Sequence, residues 1–146
     1  MAQRAAKTAI WTSEEKAAMR GAAAEARRAA KRGADLVDGE ADVLAKIAEM
    51  PEADRSMAER IHAIVKAAAP GLASKTWYGM PAYAKDGRSI CFFRPAAKFK
   101  ERYATFGFQP AANLDDGLMW PKEYAVLGLT PEVEERIAAL VRQAAS

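Results

Sequence analysis

Apolar and polar positions follow two different periods along the 146-residue chain, helical before about residue 70, strand-like from Lys75 to Leu127, and helical again at the end. The first ten residues read as a frayed terminus, with Trp11 as the first strong apolar anchor. Thr12-Ser13-Glu14-Glu15 has the spacing of a capping box, with Thr12 as N-cap, and predicts a helix to about Lys31 that stops near Gly33. Its apolar positions are almost all alanine, which favours helix but buries little area. A polar link over 34–40 leads to a short helix with Val43, Leu44, Ile47 and Met50 in one stripe, broken by Pro51. The next helix, about Glu52 to Ala69, carries Met57, Ile61, Ile64, Val65 and Ala68 on one face and stops at Pro70-Gly71.

From Lys75 the reading changes to strands. Thr76–Gly79 and Ala82–Ala84 are short aromatic-rich pieces separated by Met80-Pro81. A proline cannot donate to a ladder, so this strand is expected to lie at an edge or to break there. Asp86-Gly87 is a hairpin-turn dipeptide, and Ser89–Phe93, apolar on both faces, predicts a central strand. Tyr103–Phe108 and Tyr124–Leu127 complete the set, and Thr130-Pro131 opens a final helix with a stripe of Val133, Ile137, Leu140, Val141 and Ala144. Helices, then a run of antiparallel strands, then a helix predict an α+β domain: about five strands with helices packed on one face. Residues 1–37 are expected to form a basic, alanine-rich helical extension and 38–146 the domain proper.

Charge sharpens this division. Residues 1–34 hold eight basic and three acidic side chains, whereas the remainder holds fourteen basic and sixteen acidic. The basic residues of the first helix are spread around it with no aromatic interleaved, so nucleic acid is not an expected partner. One cysteine and one histidine exclude a disulfide framework and a two-histidine metal centre. No apolar run approaches the roughly 18 residues needed to span a bilayer, and no membrane partner is expected. The N-terminus lacks an apolar stretch of signal-peptide length, so a cytoplasmic setting is expected.

Catalytic chemistry finds little support. His62 follows core-facing Ile61 and reads as a histidine at the rim of the buried stripe, with no nucleophile nearby. Cys91 sits in an apolar strand, where cysteine behaves as an inert hydrophobe. The strongest constellation is cationic: Arg88, Arg94, Lys98, Lys100 and Arg102 lie within fifteen residues, and in an extended chain Lys98, Lys100 and Arg102 share one face. Neighbouring aromatics (Trp77, Tyr78, Tyr83, Phe92) offer stacking surfaces, which makes Trp77, Tyr83, Arg94, Lys98 and Lys100 the candidate ligand-binding residues. The alternative is a solvated hairpin tip over core aromatics. For a hard or ferrous cation the densest carboxylate pair of the body is Asp115-Asp116, the candidate metal residues, although a turn can equally use them to hold backbone donors.

Lys75-Thr76-Trp77-Tyr78-Gly79-Met80-Pro81-Ala82-Tyr83, followed by Asp86-Gly87, resembles the YdhG-like family, a domain of unknown function with some members described as frataxin-like intracellular iron chaperones. The likeness runs through Ile90–Phe93, Lys98-Phe99-Lys100 and Tyr103–Phe108 and covers about 41–145. It implies an antiparallel sheet with flanking helices, no established catalysis, and iron handling, with no cofactor beyond weakly bound iron. The helix corresponding to the family's acidic surface mixes Glu52, Asp54 and Glu59 with Arg55, Arg60 and Lys66, so no metal residue is carried over. The expectation is a non-enzymatic binding protein, with iron handling as the family-derived version. The alternative is a module that takes an anionic small molecule or a protein partner through the aromatic face and the basic hairpin.

Overall fold

The computed structural model describes residues 12–31 and 38–146. Helix α1 (Ser13–Lys31) is followed by α2 (Glu40–Ala48), α3 (Glu52–Ala68), strands β1 (Ala73–Trp77), β2 (Met80–Lys85), β3 (Arg88–Arg94), β4 (Ala104–Phe108) and β5 (Glu123–Val126), and helix α4 (Pro131–Ala144). Trp11, Gly33 and most of the 34–40 link lie outside the described residues. The five strands form one antiparallel meander in the order β1-β2-β3-β4-β5, so the expected α+β architecture holds and β3 is central.

The helices α2, α3 and α4 cover one face. Val43 and Ile47 from α2, Ile61 and Val65 from α3, and Ile137 and Val141 from α4 pack against Tyr83, Cys91, Phe93, Phe106, Phe108 and Val126. Each fully buried aromatic or aliphatic side chain of this kind contributes roughly 1.5–3 kcal/mol. The opposite face carries a smaller cluster, Met80, Ala82 and Phe92, with Trp77 and Phe99 against it. Gly107 belongs to that arrangement: a Cβ there would run into the Phe92 ring, so the strand must present bare backbone where Phe92 crosses it.

Two local features depart from the sequence reading. The first strand pair turns at Tyr78-Gly79, both in the left-handed region (φ 51° and 76°), so β1 ends at Trp77 and β2 starts at Met80. Pro81 therefore sits inside β2, a strand with neighbours on both sides, and neither breaks it nor marks an edge. In a two-residue hairpin the pair next to the closing one points its N–H groups outward, and the ladder with β3 begins only at Ala82, so the missing Pro81 donor leaves no rung broken. The second feature is a bulge: Tyr83 faces Cys91 while Ala84 faces Ser89, which makes Ile90 the extra residue. Ile90 and Cys91 consequently both reach the helix-covered core.

Helix α1 is held lightly. Thr12 Oγ1 accepts from Glu15 N at 3.0 Å, as the capping box predicts, but Met19 is exposed and the ion pair of Glu14 with Lys100 (3.1 Å) lies in solvent. Among the described residues, the main core draws every member from residue 43 onward. Deletion of residues 1–37 is therefore expected to leave a cooperatively unfolding domain in a urea titration. A truncated protein with no sharp transition would make the extension part of the core.

Candidate functional site

Two constellations stand out. One is a chain of hydrogen bonds through the core. His62 on α3 bonds through Nδ1 to the Tyr83 hydroxyl and through Nε2 to Glu40 at the start of α2, each at 2.8 Å. A carboxylate accepts, so in the neutral imidazole Nε2–H donates to Glu40, Nδ1 is the acceptor, and Tyr83 O–H donates to it. Burial pushes the Tyr83 hydroxyl far above its usual range, with the neighbouring Cys91 and Glu40 adding to the shift, so it stays a neutral donor. Burial alone pushes the Cys91 thiol up to about 12. Tyr83 and Cys91 are fully buried and His62 nearly so. This chain ties α2 and α3 to β2, and its members do not line the cavity described below.

The second constellation lies at one end of the sheet, where the segment after β3 meets the corner between α2 and α3. Ala96–Phe99 forms one helical turn. It ends in a Schellman arrangement, Glu101 N bonding to Ala96 O (2.9 Å) and Lys100 N to Ala97 O (3.1 Å), with Lys100 in the left-handed position (φ 55°) that glycine usually fills. The start of this turn is capped from across the fold. The buried Asp54 carboxylate in the first turn of α3 accepts from Ala96 N at 3.2 Å and Ala97 N at 2.9 Å. Arg94 stacks over Phe92 and Phe99 at 5.6 and 5.7 Å and reaches Glu101 at 3.9 Å, so it stitches the segment to the sheet face.

The wall so fixed closes an open-mouthed cavity of about 290 Å³ lined by Lys46, Glu49, Met50, Pro51, Gly79, Pro95, Ala97 and Lys98. Lys98 Nζ donates to Tyr78 O at 3.1 Å and crosses the bare backbone of Gly79. Gly79 suits the turn by its positive φ, and a Cβ there would make the flexible Lys98 amine shift. Burial draws the Lys98 pKa down and Lys46 adds to the effect, while Glu25 of α1 and Glu49 offset part of it. Met50, Pro51 and Pro95 give the cavity its apolar lining, and Lys46, Lys98 and Glu49 its charged residues.

The five ligand-binding residues expected from sequence do not form one site. Lys98 enters the cavity. Lys100 turns to solvent and pairs with Glu14, Arg94 is engaged on Phe92 and Phe99, and Trp77 packs against Phe92 at 5.2 Å. Tyr83 belongs to the opposite face, because an even number of residues does not separate it from Met80 and it shares the parity of Pro81, not that of Ala82. Lys98, Lys100 and Arg102 share no extended face, since the chain coils into a turn there and Arg102 lies over Tyr103 at 5.3 Å. Lys46, Glu49 and Gly79 were not singled out by the sequence reading. Asp115 and Asp116 are exposed in the loop after β4, beyond the anchoring Leu114. Among the described residues no group of three or more His, Cys, Asp or Glu is placed to hold a metal ion, and no helix is long and apolar enough to cross a membrane.

Fold and site thus define a five-stranded antiparallel meander backed by three helices, with a lysine-lined cavity at one end. No family model, curated protein or solved structure matches the chain.

Proposed function

We propose that this domain is a non-catalytic binding protein for a small organic anion, held between Lys46 and Lys98. The observation that carries the reading is the presence of two lysines among the residues lining one largely apolar cavity whose wall is fixed by a buried cap, Asp54. A cavity near 290 Å³ is at the small end of ligand sites, which run from about 300 to 1,000 Å³, and suits a molecule of a few carbons. The apolar floor takes the carbon skeleton, and the amines take the anionic group by charge-assisted hydrogen bonds. Iron handling, implied by the family resemblance, would rest on the exposed Asp115-Asp116 pair, a donor set of the kind whose affinities fall toward about 10⁻⁴–10⁻³ M.

Calorimetry with oxalate and with inorganic phosphate tests the reading. Lys98→Ala is expected to weaken binding about tenfold or more, since a hydrogen bond to a charged group contributes about 1.5–3 kcal/mol. Lys46→Ala is expected to act alike, and stability is expected to stay within about 0.5 kcal/mol for both surface changes. Binding that survives both substitutions unchanged would place the site elsewhere.

A further inference from the structure

The two edges of the sheet are finished differently. At the β1 edge, Ser74 N donates to Asp38 Oδ1 at 2.8 Å and Ser74 O accepts from Gly39 N at 2.7 Å, so the 38–39 segment closes that edge. The β5 edge has no such cover among the described residues. Phe108 N donates to Lys122 O at 2.7 Å, which makes residues 108 and 122 a hydrogen-bonded pair. Alternation along the antiparallel ladder then gives the groups of Tyr124 and Val126 to β4 and turns the N–H and C=O of Glu123 and Ala125 outward. Both of these residues are exposed. Free edges are commonly blunted by proline, lysine or a covering segment, but Pro121 and Lys122 stand ahead of this strand and leave 123–126 bare.

Three large apolar side chains stand in solvent at the ends of β5. Leu118 is fully exposed and Met119 89% exposed in the loop that leads into the strand, and Leu127, just past its last residue, is 72% exposed. Leu127 and the Leu118-Met119 pair belong to opposite ends of β5 in one chain. An antiparallel second copy brings them together: its Leu127 comes beside the loop that precedes Glu123, and the two-fold repeats the contact at the other end. We propose that β5 pairs with β5 of a second copy about a two-fold axis, joining two five-stranded sheets into one, with Leu127 of each copy against Leu118-Met119 of the other. Only the outward groups are used, so the β4 ladder stays whole. A four-residue strand makes a small contact, of the class below about 1,200 Å² that gives weak, reversible association. No residue of β5 lines the lysine cavity, so this pairing stands apart from the anion site.

Sedimentation of the full chain from about 10 μM to about 1 mM, with amide exchange followed by NMR over the same range, tests the pairing. The mass is expected to rise toward two chains. The Glu123 and Ala125 amides are expected to exchange about tenfold more slowly once roughly nine-tenths of the chain is paired. Ala125→Pro deletes an outward donor and is expected to abolish the dimer while the urea midpoint of the monomer is kept. Leu127→Glu meets the acidic end of the other copy, Glu123 with Asp115-Asp116, and is expected to weaken association about tenfold. Leu127→Lys is expected to weaken it less. Position 127 is exposed and outside the strand, so these two variants decide the matter even if Ala125→Pro does not fold. A chain that stays monomeric at about 1 mM overturns the proposal. A dimer that leaves the two amides exchanging as fast as in the monomer, or that is untouched by Leu127→Glu, overturns it too.

Discussion

Asp54→Ala is expected to destabilise the domain by about 3 kcal/mol and to abolish anion binding together. The carboxylate is buried and accepts from two backbone donors, Ala96 N and Ala97 N. Each such charge-assisted bond contributes about 1.5–3 kcal/mol, and alanine would leave both donors to find water in a place shaped for a carboxylate. The helical turn they start carries Lys98, so the loss propagates to the cavity wall. Asp54→Asn, which keeps one oxygen acceptor, is expected to lose less of both. Urea midpoints and oxalate calorimetry on the two variants check the coupling; a destabilised Asp54→Ala protein that binds oxalate normally would show that the turn does not depend on its cap.

His62→Ala is expected to cost about 3–4 kcal/mol, combining a partly filled cavity with an orphaned Tyr83 hydroxyl deep in the core. Tyr83→Phe removes only the oxygen and is expected to cost about 1–2 kcal/mol, because His62 Nδ1 loses its donor. The diagnostic outcome is in the double variant. Tyr83→Phe with His62→Leu removes both ends of the buried bond and is expected to be more stable than the sum of the separate changes. Strict additivity in a denaturant cycle would mean that the bond couples nothing. Anion binding is expected to be unaffected, since this chain lies under the helices and not at the cavity.

The periodicity carried most of the architecture. The stripes at Val43-Ile47, Ile61-Val65 and Ile137-Val141 are where the helices meet the sheet, and the doubly apolar Ser89–Phe93 is the central strand. What period alone does not encode is chain geometry at single residues. Tyr78 takes a left-handed conformation that side chains of its size rarely adopt, so the sequence pattern separates the two strands at Met80-Pro81, just after the actual turn. The Ile90 bulge lies within an unbroken apolar run and has no compositional mark. The site was legible only through Lys98. Asp54 looks like any acidic residue in a first helical turn, where the helix dipole accounts for it, and its role depends on a segment 42 residues away. Lys46 occupies an ordinary polar position in the last turn of a short helix and Glu49 the position just after it, and only the tertiary fold brings them to Gly79 and Lys98. The helical period puts His62 beside the buried stripe, but its two partners come from different elements, 22 residues before and 21 after it, and with them it is buried.

The proposed anion site lies between Lys46 and Lys98. Titration of the isotopically labelled protein with oxalate, followed by backbone amide NMR, tests it most directly. Saturable shifts centred on Lys46, Glu49, Gly79, Ala97 and Lys98 are expected, weakened by added salt as charge pairing requires. Shifts confined to the loop around Asp115 and Asp116, scattered over exposed lysines without saturation, or absent altogether would contradict it.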